Sequence, residues 1–200
     1  MKIFAHRQND WKPGNKHGVY GAEIDVQIAD RGEIVAKHDP CFNKVPPVKV
    51  SAIVERAGFD KFFVDIKQNL DLDFLEKIMD AFGDKLYGLF DVPWPAAYYA
   101  IREDFPIYQR LSEFEPYLNL VNKFWLDPLM SCPAWKYQRL LSSVPKNGKV
   151  IICSPELHGQ VTIIEVWQWL LERLEDKDTR IEGLVTKVPE TALTFFKGHV

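Results

Sequence analysis

Gly21-Ala22-Glu23-Ile24-Asp25-Val26-Gln27-Ile28-Ala29-Asp30-Arg31-Gly32-Glu33-Ile34-Val35-Ala36-Lys37-His38-Asp39 reads as strand, tight turn, strand. Successive side chains of an extended segment alternate between faces, so Glu23 and Asp25 share one face. Core packing gives an otherwise apolar strand no use for two carboxylates there. The Asp30-Arg31-Gly32 turn sends the chain back through Glu33 to Lys37 and returns His38 and Asp39 toward the acidic strand. The pattern points to a metal site with an acid/base beside it.

Composition sets the context for that hairpin. The chain has 200 residues, enough for one substantial core, and is expected to form a single domain over 1–200. A hydrophobic content of 46%, with 13% aromatic, describes a folded globule and not a disordered segment. Lys and Arg number 25 against 28 Asp and Glu, a net charge of -3. Such a balance provides no broad field for nucleic acid or an anionic membrane, so phosphate recognition has to be local. Cys41, Cys132 and Cys153 are odd in number and widely spaced, with no Cys-x-x-Cys pair, and read as reduced, partly buried thiols. Residues 1–5 are too short for the apolar core of a signal peptide, and the most apolar run, 161–171, is interrupted by Glu165 and Gln168. The expectation is a soluble cytoplasmic protein with no nucleic-acid partner and no stable membrane insertion.

Outward from the hairpin the chain alternates strands with helices. Lys2-Ile3-Phe4-Ala5-His6-Arg7 is a short strand ending in polar residues. After the Pro46-Pro47 break, 50–57 predicts a short helix closed by Gly58, and 61–67 a third strand rich in β-branched and aromatic residues. Leu72, Leu75, Ile78, Met79 and Phe82 recur at helical spacing before Gly83 stops the run. A fourth strand, 86–90, ends at Asp91, and 93–103 carries Trp94, Ala97, Tyr98 and Ile101 at helical spacing. Strands follow at 107–111 and 120–126, the latter ending at Asp127, with 112–119 too short for a full helix. A helix from Pro133 to before Pro145, a strand at 149–153, a strong helix at 162–174, an eighth strand at 181–186 and a closing helix at 191–196 complete the chain. Eight strands alternating with helical or loop crossovers predict an α/β fold, a minimal and compact (β/α)8 TIM barrel. A doubly wound open sheet is the alternative, but no Gly-x-Gly-x-x-Gly turn supports it.

In such a barrel the C-terminal strand ends converge on one mouth. Those ends are His6 and Arg7, Glu23 and Asp25, Asp65 and Lys67, Asp91, Arg110, Asp127, Glu156, and Thr186 with Lys187. Asp91, Arg110, Asp127, Glu156 and Lys187 have an ordinary explanation, since strands often end charged where they emerge into solvent. Glu23, Asp25 and Asp65 lie within apolar strands, where a carboxylate needs a cation or hydrogen bonds. A shared metal answers that need; a salt-bridge network with Lys67 or Arg7 is the competing explanation. Three carboxylates suit a hard cation such as Mg²⁺ or Ca²⁺ and make a poor zinc site. His6 and His38 then remain available for proton transfer. His17, His158 and His199 read as structural or tail residues.

The order His6-Arg7, Glu23-x-Asp25-Val26, a Gly-containing turn, His38-Asp39, Asp65-x-Lys67 resembles the glycerophosphodiester phosphodiesterases, within the wider group of phosphatidylinositol-specific phospholipase C-like phosphodiesterases. Glu182-Gly183-Leu184-Val185-Thr186-Lys187-Val188-Pro189 is similar to the family's closing strand. The resemblance implies that Glu23, Asp25 and Asp65 bind a divalent cation, that His6 and His38 are the acid and base, and that Arg7 and Lys67 contact phosphate. Arg110, at another strand end, is a further candidate for substrate binding. The chain departs from the family's pattern in carrying Gln8 where Gly usually follows His-Arg, and Asp65 where the third ligand is usually Glu. The Glu-Asn-Thr motif and the insertion after His-Asp are absent.

The function expected on this reading is metal-dependent hydrolysis of a glycerophosphodiester-like, small or lipid-derived phosphodiester. Two alternatives stand beside it: a barrel that binds a phosphorylated sugar or lipid without turnover, and a metal-dependent lyase or isomerase on the same fold. Trp94, Phe124 and Trp125 are candidates for touching a lipid chain, with core packing as the ordinary explanation.

Overall fold

The alternation of apolar strands with amphipathic helices carries into the structure, a computed structural model that describes residues 1–8, 18–29, 32–39, 47–68, 72–93, 95–115, 118, 120–130, 132–160 and 163–200. In chain order the elements are β1 (Lys2–Ala5), β2 (Gly21–Ile28), β3 (Ile34–Ala36), β4 (Val48–Lys49), α1 (Val50–Arg56), β5 (Lys61–Ile66), α2 (Leu72–Phe82) and β6 (Leu86–Phe90). They continue with α3 (Ala96–Arg102), β7 (Gln109–Leu111), β8 (Lys123–Leu126), α4 (Ala134–Ser143), β9 (Lys149–Cys153), α5 (Ile163–Glu175), β10 (Ile181–Thr186) and α6 (Pro189–Phe195). His17, Cys41, Pro46, Trp94 and the Asp30-Arg31 half of the turn lie outside the described residues. Contacts group the chain into two compact units, one of residues 7–107 and one of residues 1–6 with 108–200.

In the 7–107 unit β2 and β5 run in parallel, as do β5 and β6. The β2–β5 register sets Asp25 opposite Asp65. The predicted hairpin forms, β3 pairing antiparallel with Val26 to Ile28 at the end of β2, and β3 in turn pairs with the short β4. Helices α1 and α2 bury Val50, Ile53, Phe74, Leu75, Ile78 and Phe82, and Phe82 meets the β5 side chain Phe62 at 5.6 Å between ring centroids. Gly83 ends α2 in the left-handed region, φ 51°, as glycine does most readily. Helix α3 is shorter than the predicted 93–103, because Pro95 is its N-cap and the chain turns at Glu103 and Asp104 (φ 56°).

The other unit is an all-parallel sheet in the order β1-β10-β9-β8-β7. Strand β8 begins at Lys123 and not at 120, because its partner β9 begins directly opposite at Lys149. Without a strand alongside, Leu120 stays 43% exposed. Phe124 and Trp125 are buried, so their apolar surface serves the core and not a lipid. The α5 stripe buries Val166, Trp167 and Leu170, and Trp167 packs on Phe195 and Phe196 at 5.4 and 5.5 Å. Helix α6 starts at Pro189, earlier than the predicted 191, since proline suits the first helical position. Cys132 and Cys153 are buried thiols.

Gly183 sits where this sheet leaves no room for a side chain. A Cβ there would lie 2.9 Å from the Lys2 carbonyl oxygen, 3.0 Å from Ile151 Cδ1 and 3.1 Å from Phe4. Backbone on one side cannot yield, so Gly183→Ala is expected to destabilise by about 1–3 kcal/mol, read as a lower urea midpoint at unchanged slope.

Candidate metal centre

Burial and strand register together build the site. Glu23 and Asp25 alternate onto one face of β2, and the parallel partner β5 brings Asp65 level with Asp25. One oxygen from each of the three carboxylates lies within 4.8 Å of the others, and all three residues are buried. The backbone N–H of Arg7 donates to Glu23 Oε2 at 2.8 Å, and that of Gln8 to the Glu23 carbonyl at 2.9 Å. Arg7 Nε stands 3.3 Å from Asp25 Oδ2, and Lys67 Nζ 3.3 Å from Asp25 Oδ1, while Lys67 also pairs with Asp65 Oδ2. The remaining Asp65 oxygen, Oδ1, is buried and accepts no hydrogen bond from the described residues. A buried carboxylate oxygen without a donor fits a cation ligand, and an all-carboxylate set fits Mg²⁺ or Ca²⁺.

Arg7 adopts φ 50°, in the left-handed region that a non-glycine residue enters only at a cost. That conformation lets two consecutive amides turn onto Glu23, so the bend closes although Gln8 follows Arg7. Asp91, at the end of β6, is likewise left-handed, φ 56°. Its charge acts on Asp65.

Without a cation the carboxylates are poorly accommodated. Burial pushes the Asp65 carboxyl up from its ordinary 3.8 to about 7, reinforced by the charge of Asp91 and opposed by Lys67. Burial likewise pushes Glu23 well up, with Asp25 and Asp65 adding repulsion. Lys67 stays above its ordinary value although burial opposes its charge, because Asp65 and Asp25 face it. An acid raised on folding holds its proton more tightly in the native state, so its stabilising contribution is complete below the unfolded value and disappears as pH rises toward the folded one. Metal-free protein in chelator is therefore expected to melt at a lower temperature at pH 8 than at pH 6, and saturating Mg²⁺ should shrink the difference. A metal-free melting temperature that rises over this interval would contradict the account.

His38 stands in a bend just past β3. The Lys37 N–H donates to the Asp25 carbonyl at 2.9 Å, so the returning hairpin reaches the acidic strand one residue before the histidine. The His38 ring Nδ1 lies 2.9 Å from Asp39 Oδ1. Gln27, the next residue along the face that holds Glu23 and Asp25, points its amide nitrogen at the carbonyls of Lys37, His38 and Asp39, at 2.8, 3.1 and 2.9 Å. His6 belongs to the other unit, at the end of β1, where its N–H donates to the Thr186 carbonyl at 2.9 Å.

Arg110, Asp127 and His158 form a second cluster, within the unit of residues 1–6 and 108–200. Arg110 Nη1 lies 3.0 Å from Asp127 Oδ2, and His158 Nε2 lies 2.5 Å from Asp127 Oδ1. Burial alone would push the Asp127 carboxyl up, but the His158 hydrogen bond and the Arg110 charge bring it below its ordinary range. The turn at 155–158 is tied down: Glu156 accepts from Ser154, Thr186 and the Lys187 N–H, and Lys187 Nζ donates to the carbonyls of Glu156 and Leu157. Arg110 was expected at substrate; its guanidinium is set against Asp127 and, at 4.0 Å, against Glu115. His158, expected to be unremarkable, is held by a buried carboxylate.

Thus Glu23, Asp25, Asp65, Arg7 and Lys67 come together as the sequence predicts, His38 is tied to the same strand through backbone, and Arg110 is engaged by Asp127. Gln27 and the action of Asp91 on Asp65 were not anticipated. Gln27 was legible as the third member of an i, i+2, i+4 face, although nothing in its type announces a role.

No protein-family model matches the chain, and no curated protein matches it in sequence. Solved structures do match in shape. A glycerophosphodiester phosphodiesterase from Agrobacterium tumefaciens str. C58 has a TM-score of 0.65 at 11% identity, over 98% of this chain and 99% of that one. One from Parabacteroides distasonis ATCC 8503 has a TM-score of 0.63 at 13% identity, over 96% and 95% of the two chains. A glycerophosphoryl diester phosphodiesterase from the same organism has a TM-score of 0.63 at 9% identity, over 100% and 87%. The chain therefore has an α/β barrel fold. Its topology is the one these phosphodiesterases share.

Proposed function

We propose that the chain, as a single barrel domain over 1–200, is a phosphoric diester hydrolase dependent on Mg²⁺ or Ca²⁺, acting on a glycerophosphodiester-like or lipid-derived phosphodiester. The observation that carries the proposal is the convergence of Glu23, Asp25 and Asp65, with Asp65 Oδ1 lacking a donor, beside Lys67 and Arg7. The fold shared with solved glycerophosphodiester phosphodiesterases supports it. No helix among the described residues is long and apolar enough to cross a membrane, and the protein is proposed to work in the cytoplasm.

Glu23, Asp25 and Asp65 would hold the cation, which supplies Lewis-acid stabilisation of a phosphoryl oxygen when bound. Arg7 and Lys67 present positive charge on the same face, where it would stabilise charge on the phosphoryl oxygens. Arg110 contributes less than these two because Asp127 already takes up its charge. His6 and His38 divide proton transfer, one taking a proton from the attacking oxygen and the other returning one to the departing alkoxide.

The test is hydrolysis of a panel of phosphodiesters, with glycerophosphodiesters and bis(4-nitrophenyl) phosphate included, in Mg²⁺ or Ca²⁺ and in chelator. Cation-dependent release of a phosphomonoester or cyclic phosphate is expected. Tight binding of glycerol phosphate without turnover would replace the hydrolase with a binding barrel, and products that keep every P–O bond would replace it with a lyase or isomerase.

A further inference from the structure

We propose that Gln27 is a positioning residue, holding the bend that carries His38 at a fixed distance from the carboxylate face of β2. The inference rests on the hydrolase reading only in its kinetic part. Three consecutive backbone carbonyls, those of Lys37, His38 and Asp39, converge on the Gln27 amide nitrogen. Chemistry settles which end of the amide points there: the NH₂ group has two donors to share among the three acceptors, whereas an amide oxygen would face three carbonyl oxygens. Successive carbonyls of an extended chain point to opposite sides, so bringing three onto one point requires the chain to curl around the amide.

What that curl fixes is the direction in which residue 38 leaves the hairpin. Pairing between β2 and β3 ends at Val26 opposite Ala36, and beyond it the Lys37 N–H bonded to the Asp25 carbonyl is the last backbone link among the described residues. From there the Gln27 side chain takes over. Gln27 is 5% exposed and lies two residues after Asp25 and four after Glu23, so it shares their face and their strand. A rigid strand thereby carries two carboxylates and, through Gln27, the backbone of His38. The imidazole itself is turned onto the exposed Asp39 carboxylate, which does not tie it to the core. Among the described residues Gln27 therefore holds the His38 backbone to the core past Lys37, and loss of its donors should loosen the imidazole without disturbing the carboxylates.

The acceptors lie at the rim, with Asp39 exposed and His38 half-buried, so water can replace the amide and the fold should tolerate Gln27→Met. This variant keeps the length and volume of the side chain and removes its donors. Gln27→Glu goes further, setting a carboxylate against the three carbonyls. In both, divalent-cation affinity by calorimetry should stay within about twofold, because Glu23, Asp25 and Asp65 are untouched. Turnover should fall by about ten- to a hundredfold with KM within about threefold, the signature of a misplaced catalytic group, and more in Gln27→Glu. Independently of activity, the NMR signal of the His38 imidazole Cε1–H should move toward that of a free histidine. Unchanged turnover, an unmoved His38 signal, or a turnover loss that merely tracks cation affinity or melting temperature would overturn the proposal. Should the wild-type protein hydrolyse no diester, the hydrolase reading fails and the His38 signal alone decides this one. Should neither variant fold, the wild-type Gln27 side-chain amide protons decide: slow exchange with solvent is expected, and fast exchange would overturn the proposal.

Discussion

Glu23→Gln should raise the melting temperature of the metal-free protein while abolishing its binding of divalent cations. Glu23 is almost completely buried, and its charge is opposed by burial and by Asp25 and Asp65. A glutamine in its place keeps the shape and still accepts the Arg7 N–H through its side-chain oxygen, so the bond at 2.8 Å has a successor. What disappears is an ionisable group that burial forces either to hold a proton or to carry a poorly compensated charge. In a chain of this size each kcal/mol of relief raises the melting temperature by about 2–4 °C. Glu23 is preferred to Asp65 for this test because an Asp65 substitution would also remove one of the two carboxylate partners of Lys67. The same change deletes a ligand, and hydrolysis should drop by about a thousandfold, the several kcal/mol that a Lewis acid contributes. Stability and function thus move in opposite directions. A variant that melts lower in chelator, or one that retains the calorimetric signal for Mg²⁺ or Ca²⁺, would count against the metal centre.

His6→Ala and His38→Ala should each lower hydrolysis by about a hundred- to ten-thousandfold with cation affinity unchanged, since neither imidazole is among the candidate ligands. The leaving group tells the two roles apart. An alkoxide needs a proton as it departs, whereas 4-nitrophenolate does not. The variant lacking the acid should therefore recover most of its loss on a 4-nitrophenyl diester, and the variant lacking the base should not. Hydrolysis unchanged in both variants would remove the histidines from the mechanism. A loss that leaves the two indistinguishable across leaving groups would refute their division into acid and base.

The hairpin was readable because its signals are local. A period of two places Glu23 with Asp25, and the turn and the β-branched return strand follow within a few residues. Asp65 was readable as an acid stranded in an apolar strand, but its position opposite Asp25 is a matter of parallel register, which is set by non-local pairing. Helix ends moved where prolines decided them, at Pro95 and Pro189. The Arg110–Asp127–His158 cluster could not be read, because a charge at the end of a strand looks the same in sequence whether water or a distant loop neutralises it. The face of Gln27 could be read but not its contacts, because its partners are backbone carbonyls and backbone leaves no trace in residue type. Nor does residue type announce the left-handed Arg7, whose conformation sets the Arg7 and Gln8 amides on Glu23.

The company kept by the three carboxylates also bears on the charge that a cation proposed among them would have to carry. With every carboxyl ionised, as ligands to a cation would be, Glu23, Asp25, Asp65 and the neighbouring Asp91 would bring four negative charges, and Arg7 and Lys67 would return two positive ones. The shortfall is the charge of one alkaline-earth ion. Sodium or potassium would leave half of it standing in a buried setting where a uniform charge deficit is costly, while a trivalent lanthanide would overshoot it. In the proposed metal centre, valence before size would be the filter.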